Sequence, residues 1–461
     1  MAPDPYDRGA ISWLRCFAAG RRPCFTRSPH PSQILRICRG KSPTHDPDCK
    51  DQNASVPHLS HAFNRFGRGS VPSVSGVDLT GGCIRNRVVH FLIILYCWTL
   101  DFNKQALAAK SCEFPAIFNF GASSSDTGGL SAAFTPLNPP YGETFFHMPA
   151  GRYSDGRLII DFIAGSLGLE YLSPYLDSVG SNFTNGANFA TAGSTIRPQK
   201  SGFSPFYLKV QCSQLQQFKD RSQKVRNQGN VYREILPKRE YFSQALYTFD
   251  IGQNDLSAGF FGNLTVQEIN AIIPDIISQF YTDVKSVYDE GGRSFWIHNT
   301  APFGCLPYVL ANLPVNASEY DDAGCIIPYN KVAEYFNQKL KEIVVELSKE
   351  LSSAAITYVD MYAVKYRLIS QAEKYGFEYP LVACCGHGGK YNYSSSVACG
   401  EITTINGTKI VVGSCANPSA RVNWDGVHFT EAANKWIFEQ IVDGNFSDPP
   451  VPLKMACHKF T

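Results

Sequence analysis

The chain has 461 residues, of which 44% are hydrophobic and 18% are charged. This composition is ordinary for a globular protein and excludes a largely disordered chain, a collagen-like chain and a polytopic membrane protein. The formal net charge of +2 is too small to create an overall field that would favour nucleic acid. The charge is unevenly distributed, however, because residues 1–87 have a net charge of +7 and the rest of the chain has −5.

Residues 1–84 are rich in arginine, proline, serine and glycine, and they have no sustained apolar period. A segment of this composition cannot bury enough apolar surface to offset the entropy that it loses on ordering. We therefore expect a disordered or mis-predicted extension. The alternative is a basic arm or an organelle-targeting segment, because such segments are also rich in arginine and serine and poor in acidic residues.

Residues 85–108 have the pattern of a secretory signal peptide. Two arginines precede an apolar run over residues 88–100, which is too short for a membrane-spanning helix of about 20 residues. Ala106-Leu107-Ala108 follows, a small-residue site of the kind that signal peptidase cleaves. We expect translation to begin near residue 85 and the mature, secreted chain to begin near Ala109. A buried strand or helix is the alternative.

The remainder of the chain has nine cysteines and six Asn-x-Ser/Thr sequons, which fit an oxidising, secretory route. An odd number of cysteines leaves at least one free or paired outside the chain. One cluster could instead be a metal site, and its residues are Cys384, Cys385, His387 and Cys399. It lacks C-x-x-C spacing, so disulfides are favoured there. We expect no metal and no cofactor. The sequons are at Asn182, Asn263, Asn316, Asn392, Asn406 and Asn445.

The periodicity after residue 112 alternates between strands and helices. Short apolar runs predict strands over residues 116–120, 246–251, 294–298 and 356–360. Apolar stripes at helical spacing predict helices over residues 266–288 and 332–347. This alternation is typical of an α/β fold with a parallel sheet covered on both faces. In such sheets, the polar residues that follow the strands meet at one edge, where ligands bind.

Three polar motifs are expected at this edge. Ser123 follows the first predicted strand in a turn that would expose it for nucleophilic attack. Taken alone, however, this motif is better explained as a polar turn or helix cap formed by one of residues 123–126. The small-residue loop over residues 186–194 lets a backbone N–H approach a developing oxyanion. Asn254, after another predicted strand, offers a second hydrogen bond to that oxyanion or forms an Asx-turn.

Asp425 and His428 form a fourth motif, near the end of the sequence. Their spacing of three places both side chains on one side of a single turn. The carboxylate can accept from one ring nitrogen of His428 and fix its tautomer, while the other nitrogen faces the Ser123 hydroxyl. A lone His near an Asp is more often a structural pair, but the four motifs together favour a serine hydrolase.

With these motifs, the sequence resembles the plant branch of the GDSL esterases and lipases, within the SGNH hydrolases. The resemblance runs from about Glu113 to Phe446. Residues 118–123, Phe-Asn-Phe-Gly-Ala-Ser, are similar to the family's Phe-Asn-Phe-Gly-Asp-Ser block. Residues 142–146 and 151–157 look like the subgroup that contains early-nodulin-like and acetyl esterases.

The resemblance implies a three-layer α/β/α sandwich with a parallel, flavodoxin-like sheet, forming one hydrolase domain over residues 109–461. It implies that Ser123 is the nucleophile and that Asp425 and His428 are its partners. It also implies an oxyanion hole formed by the Ser123 N–H, Gly193 and Asn254. The expected reaction is hydrolysis of carboxylic esters through an acyl-enzyme.

The sequence departs from the family at Ala122, where members have an aspartate. Loss of a buried, charged hydrogen bond costs about 1.5–3 kcal/mol of loop order. A catalytically weakened glycoprotein that binds an ester or glycan is therefore one alternative, and an acyltransferase using the same serine is another. We expect a small-molecule, glycan or lipid ester as substrate, no nucleic-acid partner and no stable membrane span.

Overall fold

The structure is a computed structural model that describes residues 111–199, 204–405 and 407–458. The expected extension, the signal peptide and the mature start near Ala109 lie outside the described residues, as does the sequon at Asn406. All described residues belong to one unit, residues 87–461. Among them, no helix is both long and apolar enough to cross a membrane.

A six-stranded sheet forms the centre of the fold. Its strands are β1 (Ile117–Gly121), β2 (Gly186–Asn188), β3 (Leu246–Asp250), β4 (Ser294–His298), β5 (Ala355–Val359) and β8 (Ser447–Asp448), while β6 (Ile402–Ile405) and β7 (Thr408–Val411) form a separate hairpin. The spatial order is β2-β1-β3-β4-β5-β8, with the first five strands parallel and β8 antiparallel. The order of the parallel strands is that of flavodoxin-like folds, as predicted.

The four predicted strands agree with β1, β3, β4 and β5 to within one residue at each end. The loop predicted over residues 186–194 begins with the short strand β2 instead. Its sequence, Gly-Ala-Asn, has no apolar period from which a strand could be recognised. Hydrogen bonding to β1, rather than its own composition, makes this segment a strand.

Helices cover both faces of the sheet. They are α1 (Gly129–Ala133), α2 (Ile159–Ser166), α3 (Leu208–Arg226), α4 (Asn230–Ile235), α5 (Tyr241–Gln244), α6 (Gln253–Phe261), α7 (Val266–Asp289), α8 (Pro307–Asn312), α9 (Ile327–Glu350), α10 (Met361–Ser370) and α11 (Glu431–Ile441). On one face, α3, α7 and α9 pack against Phe118 and Phe120 of β1. On the other, α2, α10 and α11 pack against Ile117. This alternation of side chains along β1 produces the three predicted layers.

The predicted helix over residues 266–288 is confirmed as α7. Thr265 begins it with a capping box: its Oγ1 accepts from the Glu268 amide, and the Glu268 carboxylate accepts from the Thr265 amide. Pro274 lies inside the helix but on its exposed side, where water can satisfy the carbonyl that loses its partner. The segment with the isoleucine stripe therefore forms one continuous helix although it contains a proline.

Eight cysteines form four disulfides, Cys112–Cys457, Cys305–Cys325, Cys384–Cys415 and Cys385–Cys399. Cys212 is buried and free, as the odd number of cysteines requires. The metal alternative for the cluster around Cys384 is wrong, because its three cysteines are all in disulfides. Within the described ranges, no group of three or more His, Cys, Asp or Glu side chains could hold a metal ion.

Candidate active site

The turn that holds Ser123 is fixed at the end of β1. Gln211 of α3 donates from Nε2 to the Gly121 carbonyl at 2.8 Å, and its Oε1 accepts from the Gly121 amide at 2.9 Å. A Cβ at Gly121 would lie 2.5 Å from Ser125 Oγ and 2.6 Å from the Asp250 carbonyl, so only glycine fits. Ser123 follows β1 at this edge, as predicted, but it is half-buried and not fully exposed.

Asp126 fixes the loop that follows Ser123. Its buried carboxylate accepts hydrogen bonds from the backbone amides of Gly128, Gly129 and Leu130. It also accepts from the Ala192 amide at 2.8 Å. Because Ala192 precedes Gly193, this one carboxylate joins the nucleophile loop to the predicted oxyanion loop.

A buried amide network supports the same loop from the sheet. Asn119 Nδ2 donates to Asn188 Oδ1 at 2.7 Å, and Asn119 Oδ1 accepts from Thr248 Oγ1 at 2.7 Å. Asn188 Nδ2 in turn donates to the Ser125 carbonyl at 2.7 Å. These side chains come from β1, β2 and β3, so the position of the loop is set by three strands at once.

Gly193 and Asn254, the two further residues of the predicted oxyanion hole, are brought together in the structure. Gly193 has a φ of 76°, a conformation that favours glycine, and its amide has no hydrogen-bond partner among the described residues. Asn254 donates from Nδ2 to the Ser194 carbonyl at 2.8 Å. Because a side-chain amide has two N–H donors, one remains for a substrate oxygen.

Asp255 holds the oxyanion loop against the start of α6. Its buried carboxylate accepts from the amides of Ile196 at 2.8 Å and Arg197 at 3.2 Å. Burial raises the pKa of Asp255 to about 7, although both amides favour the ionised form. The adjacent residues Asn254 and Asp255 therefore both hydrogen-bond to the segment that follows Gly193.

Asp425 and His428 form the expected pair. His428 Nδ1 lies 2.6 Å from Asp425 Oδ2, to which the Tyr141 hydroxyl donates at 2.8 Å. Asp425 Oδ1 accepts from the amides of Val427 and His428 at 3.0 and 2.9 Å. Burial opposes ionisation of Asp425, but the charge and hydrogen bonds of His428 hold its pKa below the usual value. An ionised Asp425 keeps the proton on Nδ1 and leaves Nε2 to act as a base.

Residues 150–157 connect the nucleophile loop to the histidine loop. Arg152 Nη1 donates to the Thr127 carbonyl at 3.1 Å, and Ser154 Oγ donates to the Phe429 carbonyl at 3.0 Å. Between them, the Tyr153 ring lies 5.2 Å from the His428 ring. Burial and the charges of Asp126 and Asp425 raise the pKa of Tyr153. One short segment therefore contacts both the loop that follows Ser123 and the ring of His428.

The Ser123 hydroxyl and His428 Nε2 have no hydrogen-bond partner in the part of the chain that the structure describes. A direct hydrogen bond between them therefore stays a prediction. Catalytic hydrogen bonds are often long without substrate and tighten when it binds. A serine, a hydrogen-bonded His–Asp pair and unused amide donors are together the groups that acyl transfer requires.

Residues 117–441 match the family described as GDSL-like Lipase/Acylhydrolase. The chain belongs to this family. It is 60% identical to a protein named Esterase from Hevea brasiliensis, with 80% of this chain and 95% of the relative covered. It is 55% identical to GDSL esterase/lipase ENOD8 from Medicago truncatula (81% and 96% covered) and 57% identical to a protein named Alpha-L-fucosidase 3 from Arabidopsis thaliana (73% and 92% covered).

These relatives confirm the resemblance, including its early-nodulin branch, and the GDSL protein is a carboxylic ester hydrolase. Ala122 is buried beside a cavity that Ser123 and Asn254 also line. A larger groove of about 580 Å³ lies between α9 and α10, and none of the predicted triad residues lines it. The volume of that groove therefore does not indicate the reaction site.

The sequence alone did not reveal several residues that support this GDSL site. Gln211 carries a recognisable signal, because it is a polar residue on the buried stripe of α3 next to Cys212. Tyr141 carries none: it is far from Asp425 in sequence and only the fold brings its hydroxyl to the carboxylate. Asp126 has the local pattern of a turn or cap residue, and local spacing does not predict its contact with Ala192.

Proposed function

We propose that this GDSL protein is a secreted serine esterase that forms an acyl-enzyme on Ser123, with Asp425 and His428 as the other members of the triad. The observation that carries the proposal is the half-buried His428–Asp425 pair, whose Nδ1 and Oδ2 atoms lie 2.6 Å apart. This hydrogen bond leaves Nε2 as the one unpaired nitrogen of the His428 ring. Residues 150–157 connect the loop that carries His428 to the loop that follows Ser123.

In the first step, Ser123 Oγ attacks the ester carbonyl while His428 Nε2 takes the hydroxyl proton. The imidazolium that forms is stabilised by Asp425, which stays ionised because of its hydrogen bonds. His428 then gives the proton to the departing alkoxide. Water repeats the sequence on the acyl-enzyme, with His428 as the base, and releases the carboxylic acid and the free serine.

The negative charge of each tetrahedral intermediate needs preorganised donors. We assign this role to the amides of Ser123 and Gly193 and to the second N–H of Asn254. Asp126 and Asp255 hold the loops that carry these donors, so little reorganisation is needed during reaction. In other enzymes one such donor contributes about 10²–10³-fold to kcat.

A glycosidase is the second candidate, because one relative carries the name Alpha-L-fucosidase 3. Most glycosidases use two carboxyl groups that face the scissile bond. Asp425 is committed to His428 and Tyr141, and Asp126 and Asp255 are committed to backbone amides. These assignments leave the serine mechanism as the favoured one.

The test is a panel of chromogenic esters, from acetate to long acyl chains, with a 4-nitrophenyl fucoside in parallel. We expect ester hydrolysis, and a covalent acyl adduct on Ser123 detectable by mass spectrometry after rapid quenching. Ser123→Ala should form no adduct. Fucoside cleavage that persists in Ser123→Ala, without ester cleavage by the parent protein, would overturn the proposal. Transfer of the acyl group to added alcohols in preference to water would instead identify an acyltransferase.

Secretion is supported by the signal-like residues 85–108 and by the four disulfides, which persist in oxidising compartments. Amino-terminal sequencing of protein from its native tissue should give a start near Ala109. A cytosolic protein that retains residues 1–87 would contradict this part of the proposal.

A further inference from the structure

The groove of about 580 Å³ between α9 and α10 takes no part in the proposed reaction. Its volume lies within the range of about 300–1,000 Å³ that is typical of small-molecule sites. Residues of α9, of α10 and of the loop before α9 form its wall, among them Asp321, Glu334, Tyr362 and Tyr366. Neither the predicted triad nor the predicted oxyanion hole contributes a lining residue. The groove is therefore a candidate binding site separate from the active site.

Two tyrosines of α10 form an aromatic surface in this groove. Tyr362 and Tyr366 are four residues apart and therefore lie on the same side of the helix. Their rings are nearly parallel, with an interplanar angle of 6° and centroids 6.2 Å apart. Both side chains are half-buried and line the groove, so part of each ring remains open to a ligand.

A carboxylate of the same wall holds each tyrosine hydroxyl. Tyr362 donates to Glu334 Oε1 at 3.0 Å. Tyr366 donates to Asp321 Oδ2 at 2.8 Å. Burial and the hydrogen bond to Asp321 raise the pKa of Tyr366 to about 12, so its hydroxyl keeps its proton at neutral pH. Asp321 is itself fixed, because its Oδ1 accepts from the Cys325 amide at 2.8 Å. The two rings are therefore held in place before any ligand binds.

The charged groups of the groove balance one another. Two carboxylates, Asp321 and Glu334, are matched by two cations, Lys331 and Arg367. Arg367 donates from Nε to Tyr375, and its two terminal nitrogens have no partner in the part of the chain that the structure describes. A groove without net charge favours neither an anion nor a cation. An acyl chain would remove water from these polar groups without replacing its hydrogen bonds.

We propose that this groove is a non-catalytic binding site for a neutral oligosaccharide. A sugar ring has a face of C–H groups and an edge of hydroxyls. The C–H face packs on the rings of Tyr362 and Tyr366, whose π-electrons attract it. The hydroxyls donate to the carboxylates of Asp321 and Glu334, whose oxygens each have a second lone pair, and accept from Arg367. The site attaches the protein to a polysaccharide independently of the reaction at the active site.

Isothermal titration calorimetry with xylohexaose, cellohexaose and mannohexaose tests this site. These neutral oligosaccharides contain no ester, so their binding does not depend on the proposed esterase activity. We expect saturable binding of at least one of them. Tyr366→Ala should weaken this binding by about tenfold, because it removes one of the two ring contacts. Tyr232→Ala, which removes an exposed tyrosine of α4 outside the groove, should bind like the parent protein.

Two further variants separate an effect on binding from an effect on folding. Tyr366→Phe keeps the ring and loses only the hydroxyl, so it should retain most of the affinity that Tyr366→Ala loses. Ala363→Leu places a larger side chain in the groove without removing a hydrogen-bonding side chain. It should abolish binding while the thermal unfolding midpoint stays close to that of the parent protein.

The proposal would be overturned if none of the three oligosaccharides binds, or if the parent protein and Ala363→Leu bind them equally. Binding of octanoate that Ala363→Leu abolishes, with no oligosaccharide bound, would also overturn it and assign the groove to an acyl chain.

Discussion

Asp425 is held by four donors: two backbone amides, the Tyr141 hydroxyl and His428 Nδ1. A carboxylate fixed in this way cannot rotate away from the imidazole. The tautomer of His428 is therefore set by the structure before any substrate binds. The cost of burying the charge is offset by the hydrogen bonds, which depress the pKa of Asp425 despite desolvation.

We predict that Ser123→Ala and His428→Ala each abolish ester turnover almost completely. The double variant should lose little more than either single variant, because nucleophile and base act as one unit. Steady-state kinetics on protein with unchanged circular dichroism provides the measurement. Ser124→Ala is the matched control and should retain most of the activity. Near-parental hydrolysis by Ser123→Ala would exclude this serine as the nucleophile.

Ala122→Asp should raise kcat/KM. The added carboxylate lies in the cavity lined by Lys365, so it gains a charged hydrogen bond of about 1.5–3 kcal/mol that orders the loop before Ser123. If all of this gain reached the transition state, the rate would rise by about one to two decades. The measurement is kcat/KM of the variant and of the parent protein on the same ester. An unchanged or lower kcat/KM with retained fold contradicts the expectation.

At the scale of elements, α6 depends on a carboxyl group with an unusual titration. Burial raises the pKa of Asp255 to about 7, whereas an unfolded aspartate titrates near 3.9. The folded protein therefore binds more protons than the unfolded chain between about pH 4 and pH 7. The stability that Asp255 contributes through this titration is fully present below about pH 4 and is lost as the pH rises through about 7.

We predict that the free energy of unfolding of the parent protein falls relative to that of Asp255→Asn as the pH rises from about 4 to about 7. The asparagine stays neutral and can still accept from one backbone amide, so it removes the titration without emptying the site. Urea unfolding of both proteins across this range measures the difference. Asp322→Asn, at an exposed position, should show no such trend. A difference that is constant or grows with pH would contradict the prediction.

At the scale of the whole molecule, the Cys112–Cys457 disulfide joins the two ends of the described chain across 345 residues. In the chain-entropy account, a link that closes a longer loop restricts the unfolded state more. We expect replacement of both cysteines by serine to lower the free energy of unfolding by about 3–5 kcal/mol. The same replacement at Cys305 and Cys325, which close a loop of 20 residues, should cost less. Equal or reversed losses in denaturant unfolding would contradict this expectation.

The sequons differ in their accessibility. Four of the asparagines are exposed, namely Asn182, Asn263, Asn316 and Asn445. Asn392 is half-buried and donates from Nδ2 to the Ala383 carbonyl at 2.9 Å, so it is less accessible to a glycosyltransferase than the four exposed asparagines. We predict that glycopeptide mass spectrometry of the secreted protein finds glycans at the exposed asparagines and not at Asn392. A fully occupied Asn392 would contradict the prediction.

The sequence by itself determined the elements whose side chains repeat with a clear period. The isoleucine stripe of α7 and the apolar runs of β3 and β4 are local patterns, and their boundaries were predicted to within one residue. The edge of the sheet that carries Ser123 and Asn254 followed from this alternation, because parallel strands all end on the same side. The site residues themselves are predictions from short motifs and from the family that those motifs resemble.

Tertiary structure alone decided what connects these motifs. Asp126 and Ala192, or Tyr141 and Asp425, are hydrogen-bonded partners separated by 66 and 284 residues, and no local period records such a pairing. The pairing of the cysteines is likewise decided by distances in space. The physical reason is that periodicity reports which face of an element is buried, whereas a partner across the fold depends on how the elements pack together.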